Sequence, residues 1–126
     1  AINSNVKINF DTERHDLNSD FDTSTQTFTA PVTGKYFFNA QVRLDTIDNA
    51  ANYYRIALAT SNRTIYGDLH AVNYMFSGDA PYTTLQVTVL TDMDASDTAY
   101  VWIHQSAGTS QSDVQSQSHF SGYLAH

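Results

Sequence analysis

The sequence predicts an all-β fold, a sandwich of short strands, and three observations carry the prediction. Apolar residues recur at every second position in several separate stretches. Clusters of Gly, Pro, Asn, Asp, Ser and Thr interrupt those stretches at regular intervals. No stretch makes a good helix. Strict alternation places one set of side chains on the buried face of a strand and the other on its outer face. Many short strands between turn clusters describe a β-sandwich.

The elements follow in order. Val6, Ile8 and Phe10 alternate with polar neighbours. After turn clusters at Asp22-Thr23-Ser24-Thr25 and Ala30-Pro31-Val32-Thr33-Gly34, a long strand opens. Tyr36, Phe38, Ala40, Val42 and Leu44 form one of its faces, and Lys35, Phe37, Asn39, Gln41 and Arg43 the other. A turn is expected over Asp45-Thr46-Ile47-Asp48-Asn49, then a strand carrying Tyr54, Ile56 and Leu58, and a further turn at Ser61-Asn62-Arg63. Ser77-Gly78-Asp79-Ala80-Pro81 precedes a strand with Leu85, Val87 and Val89 on its core side, and Asp92 to Asp97 forms the next turn. Tyr100, Val101, Trp102 and Ile103 mark a late strand. The Ser/Gln-rich stretch from Gln105 to Ser118 lies between two strong strands and reads as a long surface loop.

Composition narrows the function. The 126 residues make one domain, long enough for a core that buries about two-thirds of the unfolded chain's surface. The net charge is −7, from 6 Lys+Arg against 13 Asp+Glu, so the chain repels phosphate backbones and anionic lipid. Nucleic acid and membrane insertion are therefore not expected partners, and no apolar run approaches the ~18 residues of a membrane span. Without cysteine there is no disulfide, no thiol nucleophile and no thiolate to hold zinc. Ser, Thr, Asn, Asp and Gln supply the polarity, a texture of extracellular or virion-surface β domains.

One run of spaced positions is more specific than any of this. Phe10, Asp16, Phe21, Phe28, Gly34, Tyr36 and Phe38 stand in an order and spacing that closely resembles the signature of the C1q globular head, in the C1q/tumour-necrosis-factor superfamily. Ala40 departs, since the pattern expects an aromatic there. Tyr53 to Leu58 followed by Ser61-Asn62-Arg63 resembles the family's central hairpin, and Leu85 to Val89 and Ala99 to Ile103 its late strands. Ser118-His119-Phe120-Ser121-Gly122-Tyr123-Leu124 resembles its closing strand. Family heads begin with a strand ahead of the Phe10 segment, and here only Ala1 to Asn5 precede it. The expectation is that residues 1–126 are a C1q-like head from the C-terminal part of a longer protein, with the first strand short or missing.

The resemblance implies a ten-stranded jelly roll that forms a homotrimer through the outer face of one sheet. Carried over onto this sequence, the interface residues are Phe37, Asn39, Gln41, Tyr82, Gln86 and Phe120. A physical argument supports Phe37 separately: a large aromatic on an otherwise polar face gains on the order of 2 kcal/mol when covered.

The chemistry-bearing residues are few. His15, His70, His104, His119 and His126 are scattered, and His104, beside Trp102, is the best placed. Asp92, Asp94 and Asp97 sit close together in one turn and are the candidate calcium ligands, since calcium takes six to eight oxygens from adjacent carboxylates and carbonyls. No cofactor is otherwise required. Asn62-Arg63-Thr64 is an N-glycosylation sequon in a turn. There is no Gly-x-Ser-x-Gly elbow, no phosphate-cradling glycine loop and no paired-carboxylate site, so catalysis is not expected.

The leading expectation is a non-catalytic trimeric recognition head, extracellular or on a cell or virion surface. It would bind protein or carbohydrate through apical loops, with Tyr53, Tyr74 and Phe76 as candidate contacts, because aromatics provide rigid area and amides adaptable hydrogen bonds. The alternative is a structural domain that caps or trimerises a bacterial or phage surface fibre and has no ligand of its own.

Overall fold

The computed structural model describes residues 2–8, 21–22, 25–75, 77–109, 112–114 and 118–125. Phe10 and Asp16 of the signature, and Phe76, lie outside the described residues. The strands are β1 (Asn5–Lys7), β2 (Phe21–Asp22), β3 (Thr27–Thr29), β4 (Gly34–Ile47), β5 (Tyr53–Thr60) and β6 (Thr64–His70), followed after one helical turn, α1 (Val72–Met75), by β7 (Ala80–Met93), β8 (Thr98–Ser106), β9 (Asp113–Val114) and β10 (His119–Leu124). Two of these ten segments, β2 and β9, are only two residues long, which leaves, among the described residues, eight strands of three residues or more rather than the ten expected.

The strands form two antiparallel sheets. In one the order is β2–β3–β8–β5–β6, with β1 also paired to β8; in the other it is β10–β4–β7, with β9 also paired to β4. The alternation read from the sequence is the alternation that is buried. Tyr36, Phe38, Ala40, Val42 and Leu44 of β4 face Tyr54, Ile56 and Leu58 of β5, joined by Leu85 and Val87 of β7 and by Val101 and Ile103 of β8. Burial of this two-sheet interior is the main stabilising term.

An aromatic cluster occupies one part of that core. Phe28 meets Tyr36 and Phe38 edge-on at centroid distances of 5.7 and 5.1 Å, and Phe120 stacks on Phe38 at 5.8 Å. The Tyr36 hydroxyl donates to the Val32 carbonyl at 2.6 Å, which gives this buried polar tip the partner it needs and pins the turn before β4.

Strand ends depart most from the sequence reading. Asp45, Thr46 and Ile47, expected in a turn, are the last residues of β4, and Thr46 there adopts a φ of 58°. The pairing of β4 with β7 steps from Asp45–Tyr82 to Ile47–Ala80 across it. Pro81, which lacks an N–H, is accommodated because β7 is an edge strand. The turn α1 was also not expected. It is held by the Tyr74 and Met75 amides, both of which donate to the Ala71 carbonyl.

The connections gather at two opposite ends. At one, the buried Asp48 carboxylate accepts from the Ala50 amide at 2.9 Å and the Thr109 amide at 2.6 Å, and the Asn49 amide donates to Asp79 at 2.9 Å. These bonds tie the β4–β5, α1–β7 and post-β8 connections together. At the other end, Asn62 Nδ2 donates to Asp97 at 2.8 Å and the Ala95 amide to Thr33 at 3.0 Å, joining the β5–β6, β7–β8 and β3–β4 turns.

Candidate functional site

The outer face of the β10–β4–β7 sheet carries most of the expected interface residues. Residues directly opposite in an antiparallel sheet share a face, so the register gives the surface row by row. Lys35 pairs with Asp92 and closes the row with a 3.0 Å ion pair. Next comes an apolar row, Tyr123–Phe37–Leu90, then Ser121–Asn39–Thr88, then His119–Gln41–Gln86, then Arg43–Thr84 and Asp45–Tyr82.

Local chemistry sets each row. Phe37 and Tyr123 rings lie 5.3 Å apart, while Leu90 and Tyr123 remain 53% and 46% exposed. Thr88 donates to Asn39 Oδ1 at 3.0 Å. The Arg43 guanidinium lies 4.1 Å from the centroid of the Tyr82 ring, a cation–π contact. The Oδ1 atom of Asp45, in the row with Tyr82, is buried and has no hydrogen-bond partner among the described residues.

Phe120 does not belong to this surface. It pairs with Ala40, and Ala40 points inward, so the Phe120 ring enters the core at 6% exposure against Phe38. Its neighbour His119 takes the outer position instead. Conversely, Leu90 and Tyr123 complete the apolar row and were not singled out from the sequence. Their signal was available, since Leu90 is in phase with Gln86 and Thr88, and Tyr123 with His119 and Ser121.

The candidate ligand contacts separate. Tyr74, on α1, projects at 91% exposure from the end where Asp48 ties the loops. Tyr53, at the start of β5, is half-buried on the outer face of the other sheet, stacked on His104 at 6.0 Å.

The three candidate calcium ligands lie at the opposite end from Tyr74, and their carboxylates do not converge. Asp92 pairs with Lys35. Asp97 Oδ2 accepts from the Asp94 amide and from Asn62, an arrangement that caps the turn. Among the described residues no three His, Asp or Glu side chains stand together as a metal site.

The comparisons with known proteins agree with this fold. The family model for the C1q domain matches residues 1–125. Among solved structures, the globular domain of zebrafish complement 1qA matches with a TM-score of 0.54 and 17% identity over 99% of this chain and 93% of that one, a likeness of fold. A search of curated proteins finds no match. No helix among the described residues is long and apolar enough to cross a membrane. A family match over nearly the whole length, on a two-sheet sandwich with this architecture, means that the chain belongs to the C1q domain family.

Proposed function

We propose that the chain is a non-catalytic recognition head that works as a homotrimer outside the cell or on a cell or virion surface. In this reading the outer face of the β10–β4–β7 sheet packs against two further copies, and the end bearing Tyr74 presents loops to a protein or carbohydrate ligand. The carrying observation is the row Tyr123–Phe37–Leu90, an apolar band on an exposed sheet face between the Lys35–Asp92 pair and neutral Asn39, Gln41 and Gln86.

Such a band is costly when wet, and each large side chain contributes on the order of 1–2 kcal/mol when covered. Neutral amides beside it can bond across an interface without the desolvation cost of buried charge. C1q domains are typically trimeric recognition modules, and the face has the chemistry that role requires.

Sedimentation equilibrium tests the assembly. The wild type is expected at about three times the 14.0 kDa chain mass, and Phe37→Asp at a single chain mass, because three carboxylates would be brought together in a desolvated axis. A wild type that stays at one chain mass at working concentration overturns the reading. For recognition, a glycan array and a protein-capture screen are expected to find a ligand whose binding Tyr74→Ala reduces. A head that binds nothing but raises the melting temperature of an attached stalk would be a structural cap instead.

A further inference from the structure

The other sheet also has an unusual outer face. Its centre is a contact between residues two strands apart: Tyr66 on β6 meets Trp102 on β8 edge-on at 6.0 Å and 82°. They reach each other because Ala57, the residue that pairs with both, has no side chain beyond Cβ. One position along β5, on the same face, Arg55 lies between two rings. Its Cζ is 4.7 Å from the Tyr66 centroid and 5.3 Å from that of Tyr53. On the far side, Lys7 of β1 sits 4.6 Å over Tyr100.

The cations of this face are Arg55 and Lys7, and Lys7 also donates to Thr27 Oγ1 at 2.7 Å, a residue that pairs with Asp22. The chain as a whole is −7. Yet this face presents Arg55 and Lys7, with His104 between their strands, and neither cation has a carboxylate partner among the described residues. A guanidinium held within cation–π distance of two rings still has N–H groups that can take a carboxylate in a two-pronged bond. Tyr66 beside it is 58% exposed, and what the Arg55 guanidinium leaves open of its ring is apolar area that the C–H face of a pyranose can cover. Four adjacent strands make the face about 14 Å wide, enough for more than one sugar unit.

We propose that the outer face of the β1–β8–β5–β6 layer is a lateral binding surface for a carboxylated oligosaccharide. A sugar ring lies on Tyr66, its carboxylate is held by Arg55, and the next acidic unit lies toward Lys7. The two cations favour the acidic sugar over a neutral one, and the rings favour a pyranose over a simple anion. This surface is separate from the loop end and from the β10–β4–β7 face, so it does not rest on the trimer.

The chain's single tryptophan is its reporter, because Trp102 is 8% exposed and roofed by Tyr66. Oligogalacturonate, its methyl ester and a neutral galacto-oligosaccharide would be titrated against the wild type while Trp102 emission is followed. Oligogalacturonate is expected to change the emission saturably, with the ester and the neutral sugar about tenfold weaker. Arg55→Gln and Tyr66→Ala, both at solvent-facing positions, are each expected to weaken binding about tenfold, whereas Tyr74→Ala and Phe37→Asp leave it unchanged. The proposal is overturned by no response to oligogalacturonate, by equal affinity for the ester, or by undiminished binding in Arg55→Gln. Oligogalacturonate binding that Tyr74→Ala removes would assign the sugar to the loop end and also overturn it. So would light scattering in which Tyr66→Ala lowers the oligomeric state, since that would make a second copy the occupant.

Discussion

Gly122 lies directly across from Phe38, and a Cβ at Gly122 would come within 2.6 Å of the Phe38 ring. The closing strand therefore owes its glycine to packing. Phe38 is held on its other sides by Phe28 and Phe120, so the ring has no room to retreat. In a strand, alanine normally outperforms glycine because it restricts the unfolded chain. Here the order is expected to reverse: Gly122→Ala lowers stability by about 1–3 kcal/mol in urea denaturation. A neutral or stabilising result would show that the contact relaxes freely.

Phe120 and Phe37 are expected to fail in different ways. Phe120→Ala empties a ring-sized volume from the core and costs about 3–5 kcal/mol of folding stability. Phe37→Asp leaves each chain folded and changes the sedimented mass. Circular dichroism and sedimentation on both variants separate the two, and a Phe120→Ala protein that is stably folded but monomeric would return that ring to the interface.

The buried carboxylate of Asp48 holds the loop end together. Asp48→Ala leaves the Ala50 and Thr109 amides without their acceptor. The expected loss is about 1–3 kcal/mol, since both part-buried bonds are made to a charged acceptor. The same variant should be cut sooner in limited proteolysis near Thr109, because the bond that fixes that connection is gone.

At the other end, Asp97 acts as a turn cap. Asp97→Ala is expected to cost about 1 kcal/mol by removing the acceptor for the Asp94 amide and for Asn62. The melting temperature is expected to be the same in calcium and in chelator, for wild type and variant alike. A calcium-dependent rise that Asp97→Ala abolishes would show that the turn opens to take the ion.

Breaking the ion pair between Lys35 and Asp92 is expected to matter little. Both side chains are more than half exposed, and pairs in that setting contribute at most about 1 kcal/mol. Lys35→Gln should therefore shift the urea midpoint only slightly, and less still at high salt.

Much of this protein is written in its period-two pattern. A strand's side chains alternate by covalent geometry, so burial of Tyr36, Phe38, Ala40, Val42 and Leu44 follows once that stretch is extended. The same argument covers β5, β7 and β8. The family signature, local in spacing, was equally legible. What needed the tertiary structure was every relation between strands far apart in sequence. Phe120 points inward because β10 pairs with β4 in the register that sets Gly122 beside Phe38; a one-residue slip would turn it out. Leu90 and Tyr123 join Phe37 only through that pairing, and Trp102 reaches Tyr66 only because Ala57 lies between them. Of the three aspartates close along the chain, two take partners far from them in sequence, Asp92 with Lys35 and Asp97 with Asn62. Alternation fixes which face a side chain can occupy, whereas register, chosen by the packing of both sheets at once, decides what it meets there.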